Sequence, residues 1–107
     1  METIEKSKVF VASEMVDYSS GAIVSKVIAK QQGGNLTLFA FDKGQGLSEH
    51  SAPFDAMVQV LDGEAEIIIN NRLHHLNSGQ CIIMPANVPH AVHGKERFKM
   101  LLTMVKD

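Results

Sequence analysis

Two glycine-bounded blocks, each carrying one histidine, constrain this chain more than any other feature. The first runs Gly44, His50, Ala52, Ala56, Gly63, and the second runs Gly79, Pro85, Asn87, His90, Gly94. Glycine at the block ends marks sharp backbone turns, because it reaches left-handed dihedrals with no Cβ clash. Around the blocks lie short β-rich runs at 22–28, 36–41, 56–61, 65–69, 72–76, 81–84, 88–93 and 98–105. Turn residues separate them: Gln31 to Asn35, Lys43 to Gly46, Asp62-Gly63, Asn70-Asn71 and Asn77 to Gly79. Asp-Gly is a strong tight-turn signal, so a hairpin is expected between 56–61 and 65–69. Pro89 falls near the start of a run, where a strand needs no ladder donor. Helical periodicity is weak, and Ser7 to Val16 holds at most a turn or two. Many short strands with turns every ~8–12 residues predict an all-β antiparallel sandwich or barrel. The runs 36–41 and 98–105 are nearly continuous in apolar residues, as in strands covered on both faces.

The block spacings resemble the two cupin motifs. The first cupin motif has His, His and Glu where this chain has His50, Ala52 and Ala56. The second has Gly and Asn at the positions of Asn87 and Gly94, and keeps the histidine at His90. The short link from Glu64 to Ser78 is similar to that of small bacterial single-domain cupins. The resemblance implies a jelly-roll, or double-stranded β-helix, barrel over about 26–105. It makes 1–107 one domain, with an N-terminal extension at about 1–20. It also implies that two of the four usual metal ligands are replaced by alanine.

Strand geometry leads to the same pocket. Residues two apart on a strand share a face. His50, Ala52 and, past Pro53, Ala56 should line one surface, continued by Val58 and Val60. His90 and Val92 should share a face of another strand. In a small barrel the inward faces converge, so both histidines should meet in one pocket with Ala52, Phe54, Ala56, Val58 and Met84 around them. Phe54, after Pro53, is expected at the rim.

A stable divalent site wants at least three protein ligands. Here His50 and His90 are the candidate metal ligands, for zinc, iron, manganese or nickel. Asp55 and Gln59 fall on the face opposite Ala56, and Glu49 would have to reach round. The other expectation is that the two imidazoles hydrogen-bond a ligand or water. His90 and His93 point to opposite faces, as do His74 and His75, so His74, His75 and His93 are expected at solvent or an interface. Glu64 and Glu66 share a face and should meet water. Cys81 lies in an apolar run with no activating base readable nearby, so it is expected as buried core filler. Met57, Met84, Met100 and Met104 with Phe39, Phe41, Phe54 and Phe98 are expected in the core, an adaptable pocket or a dimer surface.

A formal net charge of −2, with scattered basic residues, gives no electrostatic case for nucleic acid. No run approaches the ~20 apolar residues of a membrane span. Met1-Glu2-Thr3-Ile4-Glu5-Lys6 has no apolar stretch behind a basic start, unlike a secretory leader. A lone cysteine forms no disulfide framework, so a cytoplasmic location is expected.

Three functional readings follow. The first is a barrel that binds a small organic molecule beside His50 and His90. The second, implied by the resemblance, is a metal-dependent dioxygenase, isomerase or decarboxylase with a reduced ligand set, or a metal-free variant using a histidine base. The third is a non-catalytic assembly module. A homodimer is expected in each case, because the apolar end strands need cover.

Overall fold

The computed structural model describes residues 4–106. Eight strands form: β1 (Ile23–Gln31), β2 (Gly34–Phe41), β3 (Gly46–His50), β4 (Asp55–Ile69), β5 (Arg72–Asn77), β6 (Cys81–Met84), β7 (His90–His93) and β8 (Phe98–Val105). Every pairing among them is antiparallel. One sheet follows the order β1, β2, β8, the first half of β4, then β6. The other follows β5, the second half of β4, β7, β3. The two sheets share β4 and curl over one core, so the expected all-β jelly-roll barrel is the observed fold.

The sharing of β4 corrects one expectation. Asp62-Gly63 is no hairpin turn; the chain runs straight through it as a single strand of 15 residues. The pairing register shifts between Val60 and Asp62, and Gly63 has φ +75°. A local bulge and a left-handed glycine thus bend the strand from one sheet to the other. A Cβ at Gly63 would also run into the Arg97 carbonyl and the Phe98 backbone of β8. Glycine is required there by close packing as well as by its dihedrals.

Alternation along the strands fills the interior. Ala56, Val58, Val60, Ala65 and Ile67 of β4 point inward, against Phe98 and Met100 of β8 and Val92 of β7. Phe41 and Phe98 stack with ring centres 4.6 Å apart, both fully buried in this core. Each fully buried side chain of this size stabilises the fold by about 1.5–3 kcal/mol over exposure. The opposite face of β2 is apolar too, because a second cluster covers it. Leu38 and Ala40 pack there against Val16, with Ala12, Met15 and Tyr18 alongside. The N-terminal segment therefore acts as a lid on the outside of the sheet. It contains one 3-10 turn, Ala12–Glu14, within the stretch read as weakly helical. Tyr18 donates to Asp62 at 2.6 Å, and Lys99 donates to the Ser13 carbonyl at 2.6 Å, pinning that lid. Burial and the Asp62 carboxylate push the Tyr18 hydroxyl to a higher pKa.

The lid covers only part of β8. Leu101 packs under it, whereas Val105 is exposed, so the outer face of that strand is covered at one end only. Cys81 is a second correction: it is exposed rather than core. β6 is an edge strand that pairs only with β4. Its inward positions go to Ile82 and Met84, leaving Cys81 and Ile83 on the open face.

Candidate functional site

The ends of the two glycine blocks are tied together. Gly44 donates its N–H to the Gly94 carbonyl at 2.7 Å, and Gly94 donates to the Gln45 carbonyl at 2.9 Å. These bonds fix where β3 and β7 begin to pair. Leu47 then lies opposite Val92, and His50 lies opposite His90. Three residues of β3 are spent against two of β7, so this ladder contains a bulge. Without it, strict alternation from Leu47 would turn His50 outward. The bulge returns His50 to the inward face.

Both rings reach one cavity of about 60 Å³. Its wall includes His50, Ala52, Phe54, Ala56, Met84 and His90, as the sequence predicts. Val58 is buried in the core instead, and Val60 lies with it; neither is on the cavity wall. The cavity therefore ends above them. Val92 shares the inward face with His90 as expected, and Met100 and Met104 line the wall, as one of the readings of the methionines has it; spacing did not single out Leu47 and Leu102. Cross-strand register puts them there. His90 is 5% exposed, whereas His50 is exposed at the mouth. Phe54 stands at the rim, with the Lys106 ammonium 5.1 Å from its ring centre.

The two imidazoles are held by matching bonds. His50 Nδ1 donates to the Ser48 carbonyl at 2.7 Å, and His90 Nδ1 donates to the Val88 carbonyl at 3.2 Å. A carbonyl only accepts, so both bonds place the proton on Nδ1 and leave a lone pair on Nε2. The two Nε2 atoms are 3.2 Å apart, with the rings inclined at 71°. Two facing lone pairs repel unless a proton or a cation lies between them. Burial, and then the neighbouring His50, hold His90 below the usual imidazole pKa, while its bond to Val88 acts the other way. A cavity wall with two basic nitrogens amid hydrocarbon can orient one polar group of a small ligand, accept a proton from it, or coordinate an ion.

The loop before His90 is braced from the far side. Asn87, with φ +63°, donates to the Ala52 carbonyl at 2.7 Å. Ala86 donates to the Asp55 carboxylate at 2.8 Å. Asp55, weighed above as a ligand, thus spends its carboxylate on positioning. Gln59 and Glu49 are absent from the cavity wall. The remaining histidines are elsewhere: His74 donates to the Ile67 carbonyl at 3.3 Å, while His75 meets Glu64 and His93 meets Glu66, each at 3.2 Å. The last two pairs lie on the outer face, as alternation predicts.

A family model described as "Cupin domain" matches residues 37–105. The conserved SPY1581 protein of unknown function from Streptococcus pyogenes is 40% identical, over 99% of this chain and 93% of that one, with a TM-score of 0.93. A cupin 2 conserved barrel domain protein from Leptotrichia buccalis is 42% identical, over 88% of this chain and 46% of that one, with a TM-score of 0.85. A cupin superfamily protein from Desulfitobacterium hafniense is 25% identical, over 99% of this chain and 97% of that one, with a TM-score of 0.92. No curated protein matches the chain.

Proposed function

The chain belongs to the cupin family, and from that premise we propose that its barrel binds a small organic molecule at His50 and His90. One observation carries this reading: two Nε2 lone pairs converge on an otherwise apolar cavity. Such a wall, mostly apolar with a few placed polar atoms, is the usual chemistry of a small-molecule site. About 60 Å³ admits only a few non-hydrogen atoms. The ligand is therefore small, or inserts one group past Phe54. A hydroxyl or carboxylic acid suits it, because either can place a proton between the two nitrogens. The test is a panel of small acids and alcohols, read by melting temperature on metal-free protein. A specific member should raise the midpoint by mass action. The response should vanish in His50→Ala and His90→Ala variants that still melt cooperatively. If either variant fails to fold, that histidine is structural and the assignment is withdrawn.

A resident divalent ion fits these residues poorly. Ala52 and Ala56 present no donor, and Asp55 is engaged by Ala86. Among the described residues no group of three or more His, Cys, Asp or Glu side chains is placed to hold an ion.

The assembly we propose is a homodimer. Ile83 and Val105, each 61% exposed, border a groove on the outer sheet face together with Met57 and Thr103. This is the part of the sheet that the N-terminal segment leaves uncovered. Sedimentation should give a dimer mass for the parent and a monomer for Ile83→Glu with Val105→Lys. No described helix is long and apolar enough to cross a membrane. The free, exposed thiol of Cys81 is in keeping with a reducing, cytoplasmic compartment.

A further inference from the structure

Two apolar surfaces of this chain lack cover. Seven large apolar side chains are exposed among the described residues. Three of them, Val9, Phe10 and Val11, are consecutive, and two more, Ile83 and Val105, border the groove on the outer face of β4, β6 and β8. Val27 and Leu73 stand singly on separate edge strands. Single exposed apolar residues are ordinary, whereas contiguous ones mark contact surfaces. Val9 is fully exposed, so its own barrel gives it no cover. We propose that residues 9–11 of one copy seat in the Met57, Ile83 and Val105 groove of a second copy, which returns the same contact. This rests on the homodimer reading of that groove and names what fills it.

Three features support the seating. The first is that the loop is held in shape before it docks. Ile4 and Ala12 both pack on the cluster that covers Leu38 and Ala40, so the chain between them is anchored at each end. Ser7 turns it with φ +66°, Lys8 bridges back to Glu5 at 2.8 Å, and Glu14 donates to the Val11 carbonyl at 3.0 Å. A preorganised loop loses little freedom on binding. The second is charge. Lys6 and Lys8 lie just before Val9, and Asp55 is the charged member of the groove lining, with Ala86 engaging only its Oδ1. Opposite charges at the rim of an apolar contact fix its register. The third is closure. Loop and groove belong to one chain, so two copies can exchange the contact about a two-fold axis, which ends the assembly at a dimer.

Two measurements on the full-length chain test it. Val9→Asp with Phe10→Asp changes side chains exposed in the single copy, so the barrel should stay folded. Sedimentation should show the dimer dissociation constant raised about thirtyfold or more, the effect of removing a central apolar anchor. The second is a cross-link. Phe10→p-benzoylphenylalanine, irradiated in an equal mixture of unlabelled and 15N-labelled protein, should join residue 10 to the peptide of Ile83 or of Val105, with mixed-label products present. An undiminished dimer in the aspartate variant, cross-links confined to one copy or to other surfaces, or open polymers in place of a dimer would each overturn the proposal. The cross-link keeps an aromatic side chain at position 10, so it decides even if the aspartate pair misfolds. If Ile83→Glu with Val105→Lys dissociates the protein while Val9→Asp with Phe10→Asp does not, the groove stays the dimer surface and only the seating fails. A parent that sediments as a monomer at every concentration sinks both.

Discussion

Ala52→His combined with Ala56→Glu should make the fold depend on zinc. Both positions line the cavity that holds the Nε2 atoms of His50 and His90. Ala56 is 6% exposed and lies between Met84 and Met104, so a carboxyl group there is largely cut off from bulk water. Stripping a carboxyl group of its water there costs about 3 kcal/mol when no ion is bound. For a domain of about this size each kcal/mol moves the melting midpoint by about 4–8 °C, so the ion-free double variant should melt roughly 12–24 °C below the parent. Zinc reverses the sign of the effect. Three imidazoles and one carboxylate make a four-donor set. At a hundredfold excess over Kd, the bound ion returns about 2.7 kcal/mol, or about 11–22 °C. The parent, with two nitrogens and no carboxylate, should move little in the same titration. Scanning calorimetry at neutral pH, with chelator and then with zinc, reads both halves. A double variant that melts like the parent without zinc, or gains nothing from it, would show that positions 52 and 56 do not face the histidine pair.

Three further outcomes test the supports of the site. Because burial holds His90 below its ordinary value of 6.5, the folded state favours the neutral ring while the unfolded chain takes up a proton near that pH. Stability is then full above about pH 6.5 and lost as pH falls through the folded value, with a slope of at most about 1.4 kcal/mol per pH unit; urea titrations of His90→Gln should show a flatter profile below about pH 6.5, and an unchanged slope would count against the buried-neutral assignment. Gly63→Ala adds a strained left-handed residue and a Cβ against the Arg97 carbonyl, so it should cost about 3 kcal/mol or more in urea unfolding; a loss below ~1 kcal/mol would mean that β4 does not bend there. Asp55→Ala removes the acceptor of the Ala86 amide at an exposed site, so it should cost only about 1 kcal/mol; amide exchange should quicken first in the 86–88 loop, and uniform acceleration across the barrel would refute a local bracing role.

Much of the barrel is legible because its signals are short-range. Turn chemistry at Asn70-Asn71 and Asn77 to Gly79, the period-2 pattern of β4 and the continuous apolar run of β8 each depend on a few adjacent residues. The histidine pocket is legible from block spacing, which brings His50, Ala52, Ala56 and His90 to one place. The failures begin where a local signal has two tertiary solutions. Asp-Gly serves a hairpin turn and a bent continuous strand equally well; the choice at Asp62-Gly63 is made by the Arg97–Phe98 backbone packed against Gly63 and by fresh partners beyond it. The four apolar residues Cys81–Met84 carry no alternation, so nothing in them says that Cys81 and Ile83 would face outward from an edge strand. His50 faces inward only through a bulge whose register is fixed by bonds between Gly44, Gln45 and Gly94, well away along the chain.

The methionines mark the limit of motif reading. A motif records which side chains one strand contributes, and by that record Ala56 is a lost ligand. The row Met84, Ala56, Met104 exists only because β6 and β8 flank β4 at this register, and those residues are separated by 28 and 48 positions along the chain (84 − 56 and 104 − 56). Alanine at 56 leaves room beside the two flanking thioethers, and alanine at 52 leaves the histidine nitrogens without a carboxylate or a third imidazole to compete. The two alanines thus leave a wall whose remaining side chains come largely from the neighbouring strands, a composition that block spacing alone does not reveal.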